Sequence, residues 1–459
     1  NIIKFPKRYD YHLGFSDEEM CKLYNASDVL LSCLPYHSPI LTKKHTVMGI
    51  DGIKIGNEVL GHDGKWHKVN KTFKRPYSGE LINLMPYGFP EGIEFTPQHQ
   101  ILVIPVTKQI RADSKRSLAR NSNPIWIPAK DIKEGYILLQ PRYKPNNTGL
   151  SRINLRKMFG NVKSSNGLVS SHNSKKLPNS IPIDKHFMRL AGYFISEGTS
   201  TKSGIIFSLN KNERDTIGKE IQEDMFSLFN LTDPRIVEME GNRLQIIYFS
   251  VMLGRLFRKQ FGSLAKRKYI PQWMIDRPKP LLRELIRSLI NGDGSVSEKE
   301  GISYSTVSRR LDYQVIMIFN RLGHAASLHN DNSDKSRKAF SVHCYGRVGR
   351  RAKYLGLKSN KRAGSIMFVG NNYIYMPLRK KSVRKFTGNV YNIGVEGCES
   401  YTNGLFISHN CSSGEGFGIP IIEAQACGIP VITNSCGGMP ELTGAGWVVD
   451  WDHKEYYNL

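Results

Sequence analysis

The 459-residue chain has only seven cysteines, which form no Cys-x-x-Cys pair and no Cys/His pairing at metal-ligand spacing. That argues against a zinc site and against a disulfide framework, and free thiols fit a reducing, cytoplasmic setting. No apolar run approaches the roughly 20 residues of a membrane span. There is no signal peptide, and the chain opens on Asn1 rather than Met, as a piece of a longer product would. Acidic residues are scarce, but unevenly so. Residues 1–32 and 411–459 hold five Lys/Arg against eleven Asp/Glu, whereas residues 33–410 hold 60 against 29, a net +31. A split that sharp predicts two functions in one chain. The central segment is expected to bind polyanions, nucleic acid first among them. The length accommodates about three domains.

What is present is a distant pair of thiols. Cys33 lies far upstream of His409-Asn410-Cys411. Joining Ser32 to Cys411 restores one continuous text, SDVLLS-CSSGEGFGIPIIEAQACGIPVITN, that reads as strand, loop, helix, strand. Upstream, Ser16 and Glu19 form a capping box that starts a helix, and Val29–Leu31 is a short buried strand. Downstream, a Gly-rich loop precedes a helix from Pro420 to Gly428, and Val431-Ile432-Thr433 is the next strand. This is one α/β repeat of a parallel sheet, whose ligands bind beyond the carboxyl ends of the strands. Glu415 and Glu423 can face one such pocket. The stretch resembles the family 4 glycosyltransferases of the GT-B fold, whose signature is two Glu separated by seven residues. The resemblance implies Rossmann-like fragments over 1–32 and 411–459, with Glu415 and Glu423 contacting a nucleotide-sugar once the interrupted loop is made whole.

From Cys33 the text reads β, through Val47, Ile50, Ile53, Ile55 and Val59-Leu60, and Thr96 and His99 sit just before an apolar strand. At the far end Val390–Val395 and Gly404–Ile407 read as two strands with a turn between. A Cys side chain can attack the preceding carbonyl and turn the Ser32–Cys33 amide into a thioester, a step that needs strain and a held oxyanion. Thr96 and His99 are suitable donors, and His99 can protonate the leaving amine. Cys411 can then take the acyl group. Asn410 can cyclise on its own carbonyl and release Cys411, with His409 polarising that carbonyl. These positions, in this order, resemble an intein with an all-β Hint fold, spanning 33–142 and 380–410. By that resemblance Cys33 is the first residue, Thr96 and His99 the second motif, His409 and Asn410 the last two, and Cys411 the first residue after the segment. Asn392 and Glu399 depart from it, since the family's penultimate motif has Asp and His there. Glu399 could serve as a base in place of that His. Cys398 beside it has no assigned role.

Residues 143–180, rich in Asn, Ser and Lys, read as a linker or a DNA-contacting arm. Beyond them LAGYFISEG (190–198) and IRSLINGDG (286–294) align over nine positions. A repeat at this spacing predicts two similar subdomains about a pseudo-twofold axis. Gly192/Ser196 and Ser288/Gly292 put small residues four apart, so the two helices can cross closely. Glu197 and Asp293 each end their helix, where the dipole disfavours a carboxylate, so a divalent cation between them, Mg²⁺ by default, is expected. The pair resembles the LAGLIDADG (DOD-type) homing endonucleases, α+β proteins with pseudo-symmetric αββαββα halves, over 181–370. The resemblance implies that Glu197 and Asp293 bind metal and that Lys268 aids water activation or the leaving group. Double-stranded DNA would be read by the strands after each motif, with Lys202, Lys211, Arg214, Arg309 and Arg310 as the contacting residues. The whole reads as a self-splicing segment carrying a DNA endonuclease inside a glycosyltransferase. The alternatives are a splicing segment with an inactive nuclease, and a glycosyltransferase with a permanent DNA-binding insertion.

Overall fold

The computed structural model describes residues 33–89, 91–106, 122–145, 150–171, 175–297, 301–331, 339–344 and 366–410; beyond 410 it describes 422, 425–426, 430–434, 442–444 and 446–449. The helix expected after Ser16, the strand Val29–Leu31, Ser32, Cys411, Glu415 and Glu423 lie outside these residues. The chain is multi-domain and largely sheet.

Residues 34–141 and 368–409 build one thirteen-stranded sheet assembly. Its spine is a pair of long antiparallel strands, Trp66–Pro86 and Tyr373–Val395, running from Val69 opposite Val395 to Pro86 opposite Leu378. Apolar residues bury the two ends of this pair, Leu81, Ile82 and Leu84 at one and Val390, Ile393 and Val395 at the other. Residues 70–80 and 379–389, rich in Lys and Arg, project between them as an exposed ribbon. The expected boundary at 380 therefore falls inside a strand, and the β part already resumes with Phe368–Val369, which pairs with Tyr375 and Ile374. Ile55, expected on a strand, is exposed in a turn. A strand missing from the sequence reading, Ser400–Asn403, lies between Val395 and Phe406–His409 and pairs with the latter. Its polar text, Ser-Tyr-Thr-Asn, hides a fully buried segment.

Residues 143–180, expected as a linker or a DNA-contacting arm, include ordered sheet from residue 152. The pairs are short and antiparallel, Arg152–Asn154 with Ser180–Pro182, and Lys163–Ser165 with Leu168–Ser170. Every few residues an apolar side chain (Ile153, Leu155, Val169, Leu177, Ile181) is buried, while the intervening Lys, Ser and Asn face out. In the sequence the polar majority masks this sparse buried set.

The repeat is structural. Helix Lys185–Glu197 leads into strands Gly198–Ser200, Gly204–Asn210, Arg235–Met239 and Arg243–Phe249, and helix Lys279–Asp293 leads into Gly294–Ser297, Gly301–Thr306, Ser327–Asp331 and Ala339–Cys344. In each set the strands lie side by side in the order first, second, fourth, third. Helices Lys219–Phe229 and Arg309–Arg321 occupy equivalent places between the second and third strands. The first half, closed by helix Val251–Phe261, is α-β-β-α-β-β-α; the second is α-β-β-α-β-β as far as Cys344, and the residues where its last helix is expected, 345–365, lie outside the described ones. This part and the β assembly share one continuous apolar core. Beyond residue 410, Val431–Asn434 pairs in parallel with Gly446–Val449, in keeping with the expected α/β text. Among the described residues no helix is long and apolar enough to cross a membrane.

Candidate functional site

The first end of the segment is held by Thr96. The Cys33 N–H donates to Thr96 Oγ1 (2.9 Å), the Thr96 hydroxyl donates to the Cys33 carbonyl (3.1 Å), and the Thr96 N–H donates to the same carbonyl (3.0 Å). Thr96 therefore grips the amide nitrogen that would leave and bonds the Cys33 carbonyl as well. Thr96 is thus a clamp on the nucleophile's own backbone; the Ser32 carbonyl, to which it was expected to donate, lies outside the described residues. Cys33 is almost fully buried. His99 is fully buried and lies against Phe95, ring centroids 5.1 Å apart. The turn between Thr96 and His99 is closed by His99 N–H donating to Thr96 O (3.0 Å).

The other end is set by Phe406–His409, which pairs with the strand after His99 (Ser408 opposite Ile101). His409 Nδ1 is 2.7 Å from the Asn410 carbonyl oxygen, the carbonyl Asn410 would attack. With its proton on Nδ1, His409 donates to that oxygen. Trp126 fixes the ring edge-on at 4.8 Å. Asn410 is buried, with its side-chain Nδ2 donating to Glu399 O (2.9 Å) and Oδ1 accepting from Val395 N–H (3.1 Å), the orientation that satisfies both groups. The Asn410 N–H also donates to Glu399 O (2.9 Å).

Both ends rest on one strand terminus. Leu34 pairs with Tyr391, which sets Cys33 opposite Asn392, and Asn410 binds Val395. Three residues of strand separate them, about 10 Å at 3.3 Å per residue. Asn392 is buried, its Oδ1 accepting from Tyr401 Oη (2.9 Å) and Ile393 N–H (2.8 Å). Glu399 is exposed and gives this site its backbone carbonyl, so the expected carboxylate base is not delivered there. The imidazole nearby belongs to His62, which sequence reasoning missed. Its Nδ1 lies 2.8 Å from Ser400 Oγ, and Ser400 pairs with His409. Only the fold links residue 62 to residue 400.

In the repeated half-domains the two motif helices cross at their small residues. A Cβ on Gly192 would lie 1.9 Å from Ser288 Oγ, and one on Gly292 would lie 2.2 Å from Ser196 Oγ. The crossing delivers Glu197 and Asp293 side by side at the helix ends. Burial pushes the Glu197 carboxyl up to about 7, helped by Asp293 and Glu213 and opposed by Lys268. Asp293 opens to solvent, yet the protein mass around it pushes its carboxyl up to about 6, against the pull of Lys268. Two carboxylates that cling to protons at one spot suit a divalent cation with oxygen ligands. Lys268 is buried beneath them, and its ammonium donates to the carbonyls of Phe194, Ile195 (3.0 Å) and Gly198 at the end of the first motif helix. Burial pushes it down to about 8, while Asp293 and Glu197 hold it up. Lys268 thus caps a helix and offsets the acids.

Residues 280–359 match a family model described as a LAGLIDADG-like domain. A second, described as glycosyl transferases group 1, matches 357–458, and the structure puts residues 368–409 of that match in the thirteen-stranded assembly. Among curated relatives, an ATP-dependent DNA helicase Hel308 of Thermococcus kodakarensis is 30% identical over 388 residues, 77% of this chain and 34% of that protein. An iron–sulfur cluster assembly SufBD family protein of Mycobacterium bovis is 26% identical over 403 residues, 83% of this chain and 43% of that protein. A DNA polymerase of T. kodakarensis is 22% identical over 442 residues, 88% of this chain and 23% of that protein. The chain thus spans less than half the length of each of these relatives. Among solved structures, I-DmoI in complex with DNA and Mn has a TM-score of 0.32 at 15% identity, covering 39% of this chain and 99% of that one.

The LAGLIDADG-like halves do not carry the five expected basic residues on strands. Lys202 lies in the turn before Gly204–Asn210, and Lys211 and Arg214 lie in the helical turns after it, near Glu238 (3.3 and 3.5 Å). Arg309 and Arg310 open a helix instead. Arg309 pairs with Glu91 (3.1 Å), and Arg310 donates to Lys44 O (2.8 Å) and stacks on Tyr269. They dock the second half onto the β assembly. The open face of the first sheet carries Ser208, Arg235, Arg243 and Gln245, missed because they alternate with residues on the buried face. The equivalent face of the second sheet carries Ser303, Ser305, Ser341 and His343 and no Lys or Arg among the described residues.

Proposed function

We propose that residues 33–410 excise themselves and join Ser32 to Cys411, and that their LAGLIDADG-like half-domains bind and cut double-stranded DNA. The observation that carries the first part is the meeting of Cys33 and Asn410 on the last residues of one strand. The Cys33 thiolate attacks the Ser32 carbonyl carbon, the amide C–N bond breaks, and the Cys33 nitrogen takes up a proton, for which the buried His99 is the candidate donor. Thr96 holds that nitrogen in place. Cys411 then displaces the Cys33 thiol from the acyl carbon, a step the short span between the ends favours as proximity. Asn410 Nδ2 attacks its own carbonyl carbon, polarised by His409, and the bond to Cys411 breaks to leave a succinimide. The freed Cys411 amine attacks the thioester and leaves a peptide bond. The relatives support a portable segment: a helicase, a SufBD family protein and a polymerase match over much the same length of this chain, each over only part of its own.

For the DNA reaction, the chain's part is to hold the two acids together on crossing helices, offset their charge with Lys268, and present the first sheet's Arg235, Arg243, Gln245 and Ser208 to a groove. A divalent cation on Glu197 and Asp293, Mg²⁺ by default, would supply a water activated toward the phosphodiester. The spliced flanks would form a nucleotide-sugar site through Glu415 and Glu423, as the group 1 glycosyl transferase match supports. Incubation of the purified chain with a duplex spanning the uninterrupted gene tests the nuclease: Mg²⁺-dependent cleavage, abolished by Glu197→Gln, is expected, and no cleavage of any such duplex counts against it.

A further inference from the structure

We propose that Asp63, His67 and Cys398 form a site for a thiophilic divalent cation, Zn²⁺ by its donor chemistry, on the turn that holds Asn410. The sequence spacing hides this site, because its thiol is more than 300 residues from its other donors. The fold removes that separation. Asp63 Oδ1 and His67 Nε2 lie 3.0 Å apart across a turn closed by the Gly61 N–H on Lys65 O (2.9 Å). The Cys398 Sγ reaches the same spot, and the three donor atoms all lie within 4.8 Å of one another. His62 Nδ1 lies 3.4 Å from that sulfur. With Zn–S near 2.3 Å and Zn–N near 2.0 Å, neighbouring donors of a tetrahedral site stand roughly 3.5 Å apart, so Asp63, His67 and Cys398 close onto a cation by small side-chain movements. Thiolate, imidazole and carboxylate together are a zinc-type donor set. Gly61 leaves the room. A Cβ there would lie 2.4 Å from Cys398 Sγ, 2.9 Å from the His67 ring and 3.2 Å from Asp63 Oδ1, filling the space the donors enclose. Ser400 Oγ, 2.8 Å from His62 Nδ1 and 3.3 Å from Cys398 Sγ, orients both from outside.

The consequence rests on the splicing reading. Cys398 precedes Glu399, whose carbonyl accepts from both the main-chain and the side-chain N–H of Asn410. Glu399 is held at a positive φ of 49°, and the turn is tied at its start by Glu396 N–H on Lys68 O (2.9 Å). A cation drawing Cys398 onto Asp63 and His67 stiffens this turn. The Asn410 amide then stays bonded to Glu399 and away from its own carbonyl carbon, so cleavage at Asn410–Cys411 slows.

The test uses the full chain with Cys33→Ala and Cys411→Ala, which leaves Asn410 cyclisation as the one cleavage step. Titration with Co²⁺ is expected to give a thiolate-to-metal charge-transfer band that saturates at one equivalent, is displaced by Zn²⁺, and vanishes with Cys398→Ser and with His67→Ala. No band, or a band that survives Cys398→Ser, overturns the site. In the same chain Zn²⁺ is expected to slow release of the 411–459 fragment about tenfold, reversibly with chelator, and to have no effect in Cys398→Ser. Equal slowing in Cys398→Ser overturns the coupling. A chain that shows the Co²⁺ band but never cleaves, even with chelator, keeps the site and refutes the splicing reading instead.

Discussion

Thr96 illustrates what single residues decide. Its hydroxyl and its amide make three hydrogen bonds to Cys33, so the nucleophile's backbone has one orientation. Thr96→Val keeps the shape and removes two of them. Small misplacements of reacting groups can cost about a hundredfold in rate. We therefore expect hydroxylamine-induced cleavage at Ser32–Cys33 to slow by roughly that factor while cleavage at Asn410 continues. The paired acids set a pH dependence. Glu197 rises from an ordinary value of 4.5 to about 7 on folding, so between those values the folded state binds more protons than the unfolded. Stability of the metal-free chain then falls as pH rises through that window. Melting in chelator from pH 5 to 7.5 should show a falling Tm, Glu197→Gln should flatten it, and Mg²⁺ should restore stability at the upper end. At this scale the sequence was most readable where chemistry demands a residue type, as at His409, whose Nδ1 lies 2.7 Å from the Asn410 carbonyl oxygen. It was least readable where roles depend on direction. Lys268 turns out to donate to a helix end, Glu399 to offer only its backbone, and His62 to stand where no spacing rule would look.

The two motif helices carry the clearest pattern in the text because close crossing tolerates only small residues at fixed intervals. Gly192 and Ser288 meet so tightly that a Cβ on Gly192 would overlap the serine hydroxyl. Overpacking of this kind costs about 1–3 kcal/mol. Gly192→Val should lower the denaturation midpoint accordingly and separate Glu197 from Asp293, weakening Mg²⁺ binding. The repeat predicted two similar subdomains, and the two halves do share one order of helices and strands. The segment 150–182 did not follow, because its buried residues are few and short strands leave a weak period. Strand-face residues were also hidden: which side of Arg243–Phe249 is open depends on where the helices pack. Arg235→Ala and Arg243→Ala should each reduce the salt dependence of DNA binding by about one counterion, whereas Lys202→Ala, placed in a turn, should change it less. Fluorescence anisotropy at several salt concentrations distinguishes these.

Across the whole molecule, the β assembly and the half-domains share a core and are joined by Arg309, Arg310 and Gln314, the last donating to Thr46 Oγ1 (2.8 Å). The half-domains are thus built into the β assembly rather than tethered to it, which the internal boundaries expected at 142 and 380 did not show. The long strand Tyr373–Val395 explains the difference, since it crosses the expected boundary at 380 and its end carries both Leu34, paired with Tyr391, and Asn410, bound to Val395. The central claim is that this strand brings the ends together for reaction. Intact-mass measurement of the full chain after expression and incubation tests it most directly. The account predicts two new species, a free segment of residues 33–410 and a ligated product of 1–32 joined to 411–459, with Cys33→Ala blocking ligation. A chain that keeps its full mass with Cys33, Asn410 and Cys411 intact would contradict it.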